Sequence, residues 1–158
     1  MISTATISPC GRYRYDLWRR WSNGPYCMFV GLNPSTADET EDDPTIRRCI
    51  SYAQEWGYSA LCMANLFAYR ATKPRDMKAA EDPVGPDNDR ILRTLFDSAG
   101  IIIAAWGRDG KYRCRDLDVL SILDYPFCLK RNQDGSPAHP LYLRADLTPY
   151  PFQMEAGK

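Results

Sequence analysis

The sequence predicts an α/β fold in which a largely parallel sheet carries helices on both faces. Two observations lead to this prediction: strand and helix patterns alternate along the chain, and three of the strand patterns are nearly continuous apolar runs. A strand that is apolar throughout is typical of a parallel sheet covered on both sides. Alternation of strands with helices favours crossover connections between parallel strands.

The helix boundaries are marked by capping residues. A first strand covers 26–32, and Asp43 followed by Pro44 starts the first helix, because an N-cap side chain before a proline at the first helical position is typical of helix starts. Gly57 ends this helix. The other predicted elements are strands over 60–68, 101–107 and 126–130, a helix from Asp87 or Asn88 to Gly100, a helix that carries Leu117, Leu120 and Leu123, and an edge strand over 13–18.

Length and composition exclude several classes of protein. The 158 residues are 44% hydrophobic, which predicts one α/β domain over 1–158, with a basic and aromatic lead-in over 1–24 and an irregular tail over 144–158. No apolar run is long enough to cross a bilayer, and 20 basic residues balance 20 acidic ones, which argues against a uniformly basic surface. We expect a cytoplasmic protein with no membrane partner, because the first ten residues lack the pattern of a secretion signal.

The six cysteines do not have the spacing of a metal site. No two of them form a Cys-x-x-Cys pair, which is the arrangement typical of zinc and iron–sulfur sites. We therefore expect small, mostly buried cysteine side chains in a reducing compartment, and no cofactor.

Polar residues accompany each predicted strand. Asn33 and Ser35 follow the first strand, Asn65 lies inside the second, Arg108 follows the third and His139 comes after the fourth. Ligands of parallel sheets bind beyond the carboxyl ends of the strands. These residues therefore predict one site at one edge of the sheet.

Each candidate has a functional and a structural interpretation. Asn65 stands among apolar residues, where an unpaired amide costs about 1–3 kcal/mol, so it either serves a turn or binds the edge of a nucleobase. His139, the only histidine, is either structural or a donor to a developing anion or a phosphate. Asn33 either braces the turn before Pro34 or contacts a ligand, and Trp106 belongs either to the core or to a stacking surface.

Charged residues supply further candidates. Asp43 is explained as a helix cap, whereas Asp38 has no predicted structural role and is the better general base. A magnesium site on two carboxylates of this acidic cluster is an alternative. Basic stretches interleaved with aromatic residues either hold phosphates or form ordinary surface charge. The residues predicted to contact a nucleic-acid backbone are Arg12, Arg14, Arg70, Lys73 and Arg108.

Four strings of residues resemble a bacterial and phage family of unknown function. They read GLNPSTAD at 31–38, DDPTIRR at 42–48, NLFAYRAT at 65–72 and HPLYL at 139–143. The similarity covers nearly the whole chain.

The order of these motifs more remotely resembles the uracil-DNA glycosylase superfamily. Its members carry a Gly-x-(Asp/Asn)-Pro loop, an apolar strand that ends in a base-reading Asn, a Trp-Gly strand end and a His-Pro loop. The matching residues here are Gly31 to Pro34, Asn65, Trp106 with Gly107, and His139 with Pro140. This resemblance implies a three-layer α/β/α sandwich around a short, mostly parallel sheet of about four strands.

The same resemblance implies a hydrolase that removes an extruded base from DNA. Asn33 would orient the attacking water with help from Asp38, Asn65 would bind the base, and His139 would stabilise its negative charge as it leaves. The serine at position 35 replaces a tyrosine of the strict uracil enzymes, so the site would accept a larger, modified base. The implied substrate-binding residues are Gly31, Leu32, Pro34, Ser35, Asn65, Trp106 and Pro140.

Two other functions fit the same residues. The first is a binding module that recognises a nucleotide or a modified base without chemistry. The second is a metal-dependent nucleotide hydrolase or transferase that uses Asp38 and Asp42. In each case the expected partner is DNA or a nucleotide.

Overall fold

One mixed sheet organises the fold in the computed structural model, which describes residues 1–35 and 38–154. Its strands are β1 (Ile2–Ile7), β2 (Arg14–Arg20), β3 (Tyr26–Gly31), β4 (Ala60–Asn65), β5 (Ile101–Ala104), β6 (Phe127–Cys128) and β7 (Tyr150–Pro151). The helices are α1 (Pro44–Glu55), α2 (Pro74–Lys78), α3 (Asn88–Ser98) and α4 (Arg115–Leu120). None of the helices in these described ranges is long and apolar enough to span a bilayer.

Strand direction divides the sheet into a parallel middle and antiparallel edges. The order is β1-β2-β4-β3-β5-β6-β7. The four strands β4, β3, β5 and β6 are parallel, whereas β2 pairs antiparallel with β4, β1 with β2, and β7 with β6. The prediction of a mostly parallel sheet of about four strands is therefore wrong, because the described residues form a mixed sheet of seven strands, more than the core that the glycosylase resemblance implies.

The N-terminal hairpin accounts for most of this difference. β1 is exposed at four of its six positions, so it lacks the apolar run that marks a buried strand. The predicted edge strand is present as β2, but β1 pairs with its outer side and places it inside the sheet. The two-residue strand β7 lies in the tail that was predicted to be irregular.

Helix α1 covers one face of the sheet and begins as predicted. The Oδ1 atom of Asp43 accepts a hydrogen bond from the backbone N–H of Ile46 at 2.8 Å, and Pro44 occupies the first helical position. The apolar side of α1 packs on the sheet. The buried residues of this packing include Ile46, Cys49, Tyr52, Ala53, Phe29, Leu61 and Met63.

Helices α3 and α4 cover the opposite face. Helix α3 buries Leu92 against the sheet. It starts close to the predicted position, but Asp87, the residue before it, makes no side-chain capping bond. In α4 the buried apolar residue is Val119, whereas Leu117 is 53% exposed, so Leu117 is not the core residue that its spacing predicted.

Candidate functional site

A cavity of about 400 Å³ opens at the carboxyl ends of β3 and β4, on the face that α1 covers. Its size lies within the range of roughly 300–1,000 Å³ that is common for small-molecule sites. Apolar side chains from the sheet and from α1 form part of its wall, and polar groups from four separate segments share it. The apolar residues include Phe29, Ile46, Met63 and Ala105, and the polar ones include Arg14, Asn33, Asp43, Asn65 and His139.

The loop after β3 is fixed to the segment after β4 by backbone hydrogen bonds. The N–H groups of Leu66 and Phe67 donate to the carbonyls of Gly31 and Leu32, both at 2.9 Å. The Nδ2 group of Asn33 extends this connection, since it donates to the carbonyl of Ala71 at 2.8 Å. No described residue donates to Oδ1 of Asn33, so Asn33 both braces its loop and keeps an acceptor for a ligand.

Asn65 carries a buried amide donor without a partner. The residue is 4% exposed, and its Nδ2 atom makes no hydrogen bond with any described residue. Gly31 pairs with Asn65 across the parallel strands, and a Cβ atom at Gly31 would come within 2.9 Å of the Asn65 Oδ1 atom. Glycine at position 31 therefore leaves room for this amide. The Nδ2 atom is itself closed to solvent, so a turn of the amide about its Cβ–Cγ bond would present this donor to an acceptor on a ligand in the cavity.

Asp43 is the carboxylate of the cavity. While Oδ1 caps α1, Oδ2 accepts a hydrogen bond from the hydroxyl of Ser35 at 2.9 Å. Sequence reasoning missed this second contact, because a capping role already explained the aspartate. The eight-residue separation of Ser35 and Asp43 carries no periodic signal.

Asp38, the predicted general base, is not among the residues that line this cavity. Its Oδ1 atom accepts hydrogen bonds from the backbone N–H and hydroxyl of Thr40 and from the N–H of Glu41, at 2.8 to 3.0 Å. These bonds lower the pKa of the Asp38 carboxyl. The expectation that Asp38 has no structural role is corrected, since the carboxylate organises its own turn.

His139 lines the cavity from a loop that hydrogen bonds connect to the segments after β5 and β6. The N–H of Gly107 donates to the carbonyl of Pro137, and the N–H of Ala138 donates to that of Lys130, both at 2.8 Å. The Nδ1 atom of His139 accepts from the N–H of Leu141 at 3.1 Å, so the neutral ring carries its proton on Nε2.

Protein atoms around the His139 ring favour its neutral form. They shield the imidazole from water, which lowers its pKa, and the nearby Asp43 carboxylate raises that pKa by a smaller amount. The residue as a whole is exposed. At neutral pH His139 is therefore a hydrogen-bond donor through Nε2 rather than a cation.

Arg14 lies in the wall of the cavity rather than on the surface. It is 3% exposed. Burial lowers the pKa of its guanidinium to about 10, Asp43 raises it, and Arg70 and Arg19 lower it further. The group therefore remains charged at neutral pH, and it gives the cavity a cation for the oxygen atoms or negative charge of a ligand.

The predicted site residues fall into those that line the cavity and those that do not, and Trp106 is one that does not. Trp106 is 2% exposed and packs edge-on against Phe152, on the α3 side of the sheet, so it belongs to the core. Ala105 and Trp106 follow β5 and continue its alternation, so Ala105 faces the cavity and Trp106 faces the opposite side. The predicted residues that line the cavity are Gly31, Leu32, Asn33, Pro34, Ser35, Asn65, His139, Pro140 and Arg14, and those that do not are Asp38, Trp106, Arg12, Arg70, Lys73 and Arg108.

Within the described residues, no group of three or more histidine, cysteine, aspartate or glutamate side chains could hold a metal ion. Four of the six cysteines are buried, whereas Cys10 and Cys114 are exposed.

A family model described as a protein of unknown function, DUF1643, matches residues 14–141. This range includes every polar residue of the cavity. Comparisons with curated proteins and with solved structures gave no significant match.

Proposed function

The chain belongs to the DUF1643 family of proteins of unknown function, and we propose that it binds a nucleobase in this cavity and hydrolyses the N-glycosidic bond of that base. The base is carried by DNA and enters the cavity in an extruded position. The substrate range includes modified bases, because a serine stands at position 35 on the cavity wall.

The buried Asn65 amide is the observation that supports this proposal most. Its unpartnered Nδ2 atom needs an acceptor, and its Oδ1 atom can accept in turn. The edges of nucleobases present such donor and acceptor pairs on a flat ring. Phe29 and Met63 add apolar surface to the same cavity, as the ring faces require.

The other polar groups suit the departure of a base as an anion. When the bond between the sugar C1′ atom and the base nitrogen breaks, the electron pair stays on the base. The Nε2–H of His139 and the guanidinium of Arg14 would stabilise this charge, and such electrostatic stabilisation is usually the largest contribution to catalysis.

Asn33 and Asp43 would handle the attacking water. Oδ1 of Asn33 accepts one hydrogen of the water and orients it, and the Asp43 carboxylate takes a proton as the water oxygen bonds to C1′. The base takes up a proton in exchange. The products are the free base and a sugar that carries a hydroxyl at C1′, so atoms and charge balance.

Abasic product from labelled oligonucleotides tests the proposal. Single- and double-stranded substrates would each carry one uracil, one mismatch or one modified pyrimidine. We expect product with the natural chain and a loss of about 10²–10⁴-fold with Asp43→Asn, which removes the proton acceptor. Asparagine is as good a helix cap as aspartate, so this variant keeps α1 intact.

Asp97→Asn, on the exposed side of α3, is the matched control and should keep full activity. The absence of abasic product from every substrate would contradict hydrolysis. If a base or nucleotide nevertheless binds in that case, the cavity recognises that ligand without hydrolysing a glycosidic bond.

A further inference from the structure

Three hydrogen bonds from two side chains converge on two backbone carbonyls at the end of β4. Nδ2 of Asn88 donates to the carbonyl of Asn65 at 3.1 Å and to that of Leu66 at 3.0 Å. Nε of Arg115 donates to the Leu66 carbonyl at 2.8 Å. These contacts hold the backbone that carries the Asn65 side chain, from outside the cavity.

Both donor residues are buried to an extent that is unusual for their types. Asn88 is 0% exposed and Arg115 is 4% exposed. Neither lines the cavity. Burial of two polar side chains is costly without good partners, and the partners here are the carbonyls beside the base-reading amide.

The chain adopts a strained path to deliver Arg115. Arg113 and Cys114, which precede it, have φ values of 54° and 55°, a backbone conformation that residues other than glycine rarely adopt. Arg115 then starts α4, and its Nη2 atom pairs with Oδ1 of Asp89 in α3 at 2.6 Å. The strained turn thus joins α3, α4 and the end of β4 at one point.

We propose that Asn88 and Arg115 are positioning residues for Asn65, because their side chains hold the carbonyls of Asn65 and Leu66 and so fix the direction of the Asn65 amide in the cavity. The inference rests on the proposed function for its catalytic meaning. It adds that base recognition depends on α3 and α4, which lie on the opposite face of the sheet from the cavity.

The test uses Asn88→Asp, which keeps the size of the side chain and replaces its donor by a carboxylate that repels both carbonyls. Leu92→Ala is the matched control: Leu92 is fully buried on the same helix but bonds neither carbonyl. The first measurement is the pair of side-chain amide NMR signals of Asn65 in the ligand-free protein, identified by their loss in Asn65→Asp.

We expect these signals to shift or broaden in Asn88→Asp and to stay in place in Leu92→Ala, even when Leu92→Ala lowers the melting temperature by more. Because a protonated carboxyl can donate again, the signals of Asn88→Asp should move back toward their natural positions as pH falls. Unchanged signals in Asn88→Asp, or equal changes in Leu92→Ala, would overturn the proposal.

Arg115→Lys provides a second variant should Asn88→Asp fail to fold. Lysine keeps the charge opposite Asp89 and cannot reproduce the Nε contact with Leu66. The same shift of the Asn65 signals is expected, and its absence would count against the role of Arg115.

The affinity for free uracil and for deoxyuridine links positioning to function. We expect at least tenfold weaker binding in Asn88→Asp and natural affinity in Leu92→Ala. If the natural chain binds neither compound, base recognition fails, while the amide signals still decide whether Asn88 positions Asn65.

Discussion

The polar residues of the cavity differ in how much of each side chain the fold already uses. Asn33 uses Nδ2 to hold Ala71 and keeps Oδ1. Asp43 caps α1 with one oxygen and binds Ser35 with the other. Asn65 leaves its buried Nδ2 atom unused. At the scale of residues, the chemistry of the site is set by which atom of each side chain the fold has already occupied.

His139 makes stability depend on pH in a defined direction. Its folded pKa lies below the ordinary value of about 6.5 because of desolvation, so the unfolded chain binds its proton more readily. The free energy of unfolding that His139 contributes is fully present above about pH 6.5 and is lost as pH falls from there through the folded pKa.

Urea denaturation of the natural chain and of His139→Gln, between pH 8 and pH 5, measures this contribution. We expect the natural chain to lose stability relative to the variant over the acidic part of this range. A constant difference between the two proteins would show that His139 does not titrate differently on folding.

At the scale of elements, the loop between β3 and α1 is anchored by a buried cation from β2. Arg19 is 2% exposed, donates from Nε to Asp42 at 2.8 Å, and donates to the backbone carbonyl of Asp38 at 2.6 Å. The anchor holds this loop beside the cavity, since Asp43 follows directly. Arg19 of β2 thus supports the site although it does not line the cavity.

Asp42→Ala should therefore destabilise the fold by about 1–3 kcal/mol, because it removes a carboxylate partner from a buried guanidinium. Arg144→Ala is the control, since the Arg144–Asp146 pair is exposed on both sides and exposed pairs contribute little. Chemical denaturation compares the two variants with the natural chain. Equal stability of all three would contradict the anchoring role of Arg19.

Part of the fold could be predicted from the sequence, for physical reasons. The continuous apolar runs indicated β3, β4 and β5, and Asp43 with Pro44 marked the start of α1, because burial and capping leave strong local patterns. β1 leaves no such pattern, since most of its side chains are exposed and its stability comes from pairing with β2. The antiparallel edges of the sheet therefore could not be predicted.

Prediction of the site had the same limits. Asn33, Asn65 and His139 could be predicted to share one cavity, because each stands near the carboxyl end of a strand. The capping role of Asp43 could be predicted, but its contact with Ser35 in the cavity and the turn that Asp38 makes with Thr40 could not, because neither contact leaves a local sequence pattern. The sequence predicts Arg14 on a nucleic-acid backbone, because a basic residue in a basic and aromatic stretch does not reveal that its side chain is buried.

At the scale of the whole molecule, one cavity built from both ends of the matched family region is the proposed site for a nucleobase. Arg14 and Leu141 mark the limits of that region and both line the cavity. The rest of the fold brings these distant segments together around Asn65.

Calorimetric titration of free uracil into the natural chain and into Asn65→Leu measures whether the cavity binds a nucleobase through Asn65. Leucine removes the unpartnered amide, so the variant should unfold at no lower urea concentration than the natural chain. We expect uracil to bind the natural chain and to bind the stably folded variant at least tenfold more weakly. Equal affinity in both proteins, or no binding to the natural chain, would contradict this expectation.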